Sequence, residues 1–311
     1  MSKNVFLFSG QGSQYAGMAK ELCESLPSAL EIFDIADTVF SFNLKEICFN
    51  GPEEELSKTI YSQPAIFATS LCAFEAAKEN GINFSAVAGH SLGEYAAMVA
   101  CEMITIEEGF KLIKARSEAM QKASENSNGA MCAIIGQASD EVEKICSEIN
   151  GYVIPVNYNS TAQTVIAGDV DAVDKAIEIF TEKKAKAIKL NVSSAFHSKL
   201  MQPASDEFLA AVKDSKVSFN SPVCDFYSNL TGGILDDYSD MPAYLAKHIV
   251  SPVKFTSELN LLNDNGYNNY IELGPNKVLT GLVKKTLKGV TAVNIENTAT
   301  LEKALSSLFS E

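Results

Sequence analysis

Short apolar runs that end in glycine-rich turns, each followed by a longer segment with helical spacing, recur along the chain. Val5 to Phe8 is one such run and leads into Ser9-Gly10-Gln11-Gly12-Ser13-Gln14. Ser85 to Ala88 is another, passing through Gly89-His90-Ser91-Leu92-Gly93 into an alanine-rich stretch from Glu94 to Cys101. Runs this short and this apolar, set between helices, predict buried strands of a mainly parallel sheet. Helical spacing covers Ala16 to Ser25 and Ser28 to Phe40. It resumes at Gln63, with Pro64 expected at the first helical position, and runs to about Glu79, before Asn80-Gly81. Thr105-Ile106-Glu107-Glu108 is a capping box that opens a helix to about Lys122. Towards the end the alternation returns. Val223 to Tyr227, Asn269 to Leu273 and Thr291 to Ile295 read as strands. Met241 to Val250, the stretch after Asn276 to about Leu287, and Leu301 to Phe309 read as helices.

Between these halves the rhythm changes. Ser124 to Gly129 is polar and reads as a boundary. Strands are expected at Ala130 to Ile135, Tyr152 to Asn157, Thr164 to Ala167 and Ala187 to Leu190. Helices are expected at Ser139 to Asn150 and Asp169 to Lys183. The order βαββαβ is that of a ferredoxin-like unit. The expected fold is therefore α/β: a large α/β-hydrolase-like domain with a mainly parallel sheet (1–123 and 193–311), carrying an inserted small ferredoxin-like subdomain (124–192).

Composition narrows the function classes. A net charge of −14 over 311 residues argues against nucleic acid as a partner. No apolar run approaches the length of a membrane span. The N-terminal apolar core is too short for a signal peptide. Seven scattered cysteines without a C-x-x-C pair suggest reduced, buried thiols and a cytoplasmic protein. Three histidines without ligand spacing give no zinc site.

The chemistry centres on Gly89 to Gly93, a G-x-S-x-G sequence between a strand and a helix. That context reads as a nucleophile elbow, in which the glycines allow the sharp turn and Ser91 stands exposed at its apex; the alternative is a plain glycine-rich strand-to-helix turn with an inert serine. The Leu92 amide would face an oxyanion formed beside Ser91. The small-residue loop around Gln11 offers further backbone amides, and its spacing is not that of a phosphate loop. Leu112, Arg116 and Met120 share one helix face, so Arg116 lies in an apolar stripe. It is either a snorkelling side chain or a fixed cation awaiting a carboxylate. His197, at a loop-to-helix junction, is expected to be poised rather than buried in a core, and a G-x-S-x-G serine needs a base. About a third of the chain follows it, unlike α/β-hydrolases, which place their histidine near the C-terminus. Lys183, Lys184, Lys186 and Lys189 form one basic cluster, and Lys277, Lys284, Lys285 and Lys288 another.

Taken in order, FSGQGSQ (Phe8 to Gln14), QPA (Gln63 to Ala65), GHSLGEY (Gly89 to Tyr95) and Arg116 with Met120 form one set of marks. GAM (Gly129 to Met131), PVNYNS (Pro155 to Ser160), AFHS (Ala195 to Ser198), SPV (Ser251 to Val253) and ELGPNKVLTGL (Glu272 to Leu282) complete it. On these marks the chain resembles, over essentially its full length, the malonyl-CoA:acyl carrier protein transacylases. The resemblance implies Ser91 as nucleophile, His197 as base, and the Gln11 and Leu92 amides as the oxyanion hole. It places Arg116 on the malonyl carboxylate, with Met120, Phe196 and Gln63 beside the substrate. Phe196 would leave little room for an α-methyl group. The family holds its histidine with a backbone carbonyl. The chain has His248 where members usually have Gln, and a carbonyl there does not depend on residue type. His90 is read as structural. No tightly bound cofactor is implied: malonyl-CoA is substrate, and the acyl carrier protein brings its own phosphopantetheine thiol. The lysine clusters are candidate docking surfaces for that acidic carrier.

Three other readings stand beside this one. An esterase could share the elbow, although no acid follows in the usual chain order. A non-catalytic acyl-group sensor would not need both Ser91 and His197. A transferase of another extender unit, or one serving polyketide rather than fatty acid synthesis, would use the same chemistry.

Overall fold

The computed structural model describes residues 3–192 and 194–309. Ser193, the expected point of re-entry into the large domain, and the outer bounds at residues 1 and 311 lie outside the described residues. Ten strands are described: β1 (Asn4–Phe8), β2 (Ala86–Gly89), β3 (Gly129–Ile135), β4 (Val153–Ser160), β5 (Gln163–Asp169), β6 (Lys186–Lys189), β7 (Asp225–Ser228), β8 (Gly233–Ile234), β9 (Asn269–Leu273) and β10 (Thr291–Ile295). They form a six-stranded sheet in the order β10-β9-β1-β2-β7-β8 and a four-stranded sheet in the order β4-β5-β3-β6. In the larger sheet every pairing is parallel except the edge pair β7–β8. The smaller is antiparallel throughout. The fold is thus α/β with one mostly parallel and one antiparallel sheet.

Strand periodicity divides the large core in two. Phe6 and Phe8 point into one apolar cluster, and Val5 and Leu7 into the other. Both faces of β1 are buried, which is why it reads as a continuous apolar run. On the small sheet, Ala130, Cys132 and Ile134 face a local core with Val142, Ile145, Val173 and Phe180. Met131 and Ala133 face the other way, into the main core. The small sheet is tied to the segment before the helix Phe255–Asp264, where Tyr158 N–H donates to Val253 O at 2.9 Å and Val253 N–H donates to Val156 O at 2.8 Å.

Several expected boundaries move. The helix expected from Ala16 begins at Lys20, because Gly17 and Ala19 have φ of 100° and 64° and cannot continue a helix. The helix expected to open at Gln63 begins at Thr59, so Pro64 is internal rather than first. Burial of every residue from Ser62 to Phe74 holds this helix together across the missing N–H. The Thr105 capping box forms as expected, but its helix runs on to Glu125, leaving only 126–128 between it and β3. The helix Leu44–Asn50, capped by Asn43, and the short helix Glu53–Leu56 add to the helices expected from the apolar spacing. No described helix is long and apolar enough to cross a membrane.

Candidate active site

Ser91 sits at the turn between β2 and the helix Gly93–Ala100, with φ of 52°. The turn is possible because its flanks carry no side chains. A Cβ on Gly89 would lie 2.1 Å from the Gly93 carbonyl carbon, and one on Gly93 would lie 2.1 Å from Phe8 O. Strand, helix and the end of β1 therefore approach more closely than any other residue permits. The same contact brings the loop that carries Gln11 beside the elbow. Among the described residues neither the Gln11 amide nor the Leu92 amide donates to a protein acceptor. The Ser91 amide does: Asn229 Oδ1 accepts it at 2.6 Å.

His197 also has a positive φ, 62°. It is 4% exposed, so the expectation of a histidine outside any core is corrected. The reason is that the following chain folds over it, with the carbonyls of His248 and Ser251 at 3.1 and 3.0 Å from Nδ1. Two carbonyl acceptors require the proton on Nδ1, which leaves Nε2 with a lone pair. Nε2 lies 2.8 Å from Ser91 Oγ, so the serine hydroxyl donates to it. Burial first, and the Arg116 charge second, push the imidazole down to about 3, against the pull of the two carbonyls. The ring is therefore a neutral base at physiological pH.

Arg116 comes from the helix Ile106–Glu125 and is 1% exposed. Its Nη2 donates to Ser91 Oγ at 3.0 Å, and the guanidinium lies 5.5 Å from the Tyr95 ring centre. Its Nε has no partner, and it forms no ion pair among the described residues. The snorkelling alternative is thereby excluded: the head group is the buried part. A desolvated cation beside a hydroxyl, without an acidic partner, is a receptor for an anion.

Ser91, His197, Gln11, Met120 and Phe196 line one cavity of about 310 Å³, together with His90 and with Met131 and Asn157 from the small sheet. A larger cleft, about 720 Å³, runs past Lys122, Asn150 and Glu207 and holds none of the reacting residues. Gln63 is not on the cavity wall. It is fully buried behind it, with Nε2 at 3.4 Å from both Gln11 Oε1 and Met120 Sδ. His90 Nε2 meets Asn159 Oδ1 at 2.8 Å. Ser251 and Asn159 stood within recognised marks, but Asn229 carried no signal: it is an ordinary turn residue brought to Ser91 by the order of strands β2 and β7.

The two lysine clusters differ. Lys183 pairs with Glu141 at 2.9 Å and Lys189 pairs with Asp174, while Lys184 and Lys186 are exposed. Lys284 and Lys285 are exposed and in no ion pair among the described residues, and Lys284 shares a groove with Lys277 and Lys303.

A hydroxyl donating to a neutral imidazole, on a strained strand-to-helix turn of an α/β sheet, is the arrangement of serine acyl-transfer enzymes. Residues 5–304 match the model of the acyl transferase domain. The chain is 38% identical to the malonyl CoA-acyl carrier protein transacylase of Bacillus subtilis (strain 168), spanning 100% of this chain and 99% of that protein. It is 35% identical to the protein of the same name from Escherichia coli (strain K12), spanning 98% and 99%. The crystal structure of the transacylase from Clostridium perfringens superposes with a TM-score of 0.93 at 36% identity, covering 99% of this chain and 97% of that one. A malonyl-transacylase solved with a type II PKS acyl-carrier protein gives 0.92 at 34% identity, covering 98% and 100%. The chain belongs to the acyl transferase family, among relatives named malonyl CoA-acyl carrier protein transacylases.

Proposed function

We propose that the protein moves the malonyl group of malonyl-CoA to the phosphopantetheine thiol of an acyl carrier protein, in fatty acid biosynthesis, through an ester on Ser91. The observation that carries this reading is the position of Ser91 Oγ, between His197 Nε2 at 2.8 Å and the unpaired Arg116 guanidinium at 3.0 Å. Ser91 Oγ attacks the thioester carbon while its proton passes to His197 Nε2. The carbonyl oxygen becomes an oxyanion between the Gln11 and Leu92 amides. The C–S bond then breaks, and coenzyme A leaves as the thiol with the proton from Nε2. The carrier's thiol then gives its proton to Nε2 and attacks the ester carbon; the C–Oγ bond breaks, and Ser91 Oγ leaves with that proton. Ser91 and His197 act as a dyad, since Nδ1 is held by two carbonyls rather than by a carboxylate. Arg116 holds the malonyl carboxylate, and Met120 and Phe196 shape the space around it. Gln63 acts on the substrate from behind, by bracing Gln11 and Met120.

We read the larger sheet with its helices as an α/β-hydrolase-like domain and residues 124–192 as a ferredoxin-like subdomain. The strand order β4-β5-β3-β6 and the βαββαβ succession support the second of these. The carrier docks on the exposed lysines of the two clusters, among them Lys184, Lys186, Lys284 and Lys285. A cytoplasmic setting is supported by seven free cysteines. Intact-protein mass spectrometry after brief mixing with malonyl-CoA tests the function. The wild type should gain one malonyl group and lose it on adding carrier protein; Ser91→Ala should gain none. A malonyl adduct on Ser91→Ala would overturn the reading.

A further inference from the structure

Behind the elbow lies a buried polar cluster that the acyl-transfer steps do not use. Glu94, in the first turn of the helix Gly93–Ala100, is fully buried. Its Oε1 accepts the Asn229 N–H at 2.6 Å. The Tyr244 hydroxyl lies 2.9 Å from its Oε2 and 2.7 Å from Ser228 Oγ. His248 Nδ1 is 3.3 Å from the same Oε2. Two of these partners reach the reacting residues. Asn229 accepts the Ser91 N–H through Oδ1, while its Nδ2 donates to Gly89 O at 2.7 Å and to Glu258 at 2.8 Å. It thus ties down both sides of the strained turn. His248 supplies a carbonyl to His197 Nδ1. One carboxyl group is therefore connected to the nucleophile by one route and to the base by another.

We propose that Glu94 is a positioning residue that keeps the Asn229 and His248 arms in register and so maintains the 2.8 Å contact between Ser91 Oγ and His197 Nε2. It touches neither substrate nor reacting atoms. The proposal rests on the reading of Ser91 and His197 as nucleophile and base.

The surroundings favour an un-ionised carboxyl group. Tyr244 and His248 face it from the helix Met241–Ile249, Glu258 from the helix Phe255–Asp264, and Arg116 from the helix Ile106–Glu125. Arg116 is the one permanent cation in this set, and it makes no ion pair with Glu94. Burial pushes the carboxyl up to about 8, against the Asn229 N–H, the Tyr244 hydroxyl and the Arg116 charge. Burial likewise pushes Glu258 well up and His248 well down. A neutral carboxylic acid has one proton to donate, and His248 Nδ1 is placed to accept it. A glutamine amide reproduces both contacts: its oxygen accepts from Asn229 and its NH2 donates to His248.

The test is steady-state transfer from malonyl-CoA to carrier protein by Glu94→Ala and Glu94→Gln over a range of pH. Glu94→Ala should lower kcat by about 100-fold, the scale of a small displacement of reacting groups, with KM for malonyl-CoA nearly unmoved. Glu94→Gln should recover most of kcat. It should also keep its rate as pH rises through about 8, where the wild type loses rate as Glu94 ionises. The infrared spectrum of Glu94→Gln should lack one un-ionised carboxylic acid band that the wild type shows, leaving that of buried Glu258, a readout that needs no catalysis and covers the case in which Glu94→Ala does not fold. Equal damage in Ala and Gln, an unchanged alkaline limb in Gln, or no loss of the band would overturn the proposal. Failure of the underlying reading is separate: it would appear as acylation of Ser91→Ala, whatever the Glu94 variants do.

Discussion

The two sheets that flank the cavity are unlike. On the large-sheet side, β1, β2 and the helix after Ser91 approach so closely that glycine alone fits at 89 and 93, and Glu94, Arg116 and His197 are buried. On the small-sheet side, β6 is largely exposed and two of its cluster's lysines are ion-paired on the surface. The large-sheet side fixes atoms to the precision that bond making needs, and the outer edge of the small sheet, away from the cavity lining, offers surface. The lesson is a division of labour: changes on the large-sheet side should act on kcat and on substrate choice, and changes to the surface lysines on encounter with the carrier.

The largest effect is expected from His197→Ala, which removes the proposed base 2.8 Å from Ser91 Oγ. Loss of about four to six orders of magnitude in kcat is the scale for a broken nucleophile-base pair. Single-turnover acylation followed by mass measures it, and a rate within tenfold of wild type, set against that scale, would remove His197 from the mechanism.

Arg116→Ala comes next. Malonyl and acetyl thioesters differ by one carboxylate, the group proposed for Arg116, and leaving a buried charge without its partner costs about 3–5 kcal/mol. At about 1.4 kcal/mol per tenfold, kcat/KM for malonyl-CoA should fall between a hundredfold and a few thousandfold. Transfer from acetyl-CoA should hold or rise, and Arg116→Lys should recover only part, since an ammonium lacks the guanidinium fork. Equal loss on both substrates would make the arginine structural.

A pH profile sharpens the same point. With the imidazole held down to about 3, the wild type should show no acid limb near the ordinary histidine value of about 6.5. Burial is the main cause and Arg116 the second, so Arg116→Ala should move the limb upward towards neutral pH. The sign for stability follows from the same depression. Between about 3 and the ordinary value, the unfolded chain binds more protons at His197 than the folded one. Its contribution is therefore fully present above about 6.5 and is lost as pH falls through about 3. Urea unfolding at graded pH checks that direction.

The smallest effect concerns the surface. Reversing Lys284 and Lys285 to Glu should raise KM for the carrier protein several-fold at low salt and hardly at all at high salt, the behaviour of exposed charges. Reversing Lys183 and Lys189, already neutralised by Glu141 and Asp174, should do less. The comparison of the two clusters fails if the order is inverted.

Much of this protein was legible in its sequence because the signals were local. Apolar runs marked β1, β2 and β9, and the Thr105 capping box marked its helix. The G-x-S-x-G turn marked Ser91 because a sharp strand-to-helix bend needs small residues at fixed spacing. The register of marks along the chain identified the family. Where local preference met tertiary packing, the sequence misled. Pro64 prefers a first turn, yet it lies within a helix held by burial on nearly all sides, and His197 is enclosed by chain more than fifty residues away. Only the fold could supply Asn229, the Ser251 carbonyl and the Glu94–His248 contact. The first two are hydrogen bonds to Ser91 and His197 and the third is a 3.3 Å approach; each joins segments distant in sequence, and such geometry depends on which strands become neighbours rather than on residue type or spacing.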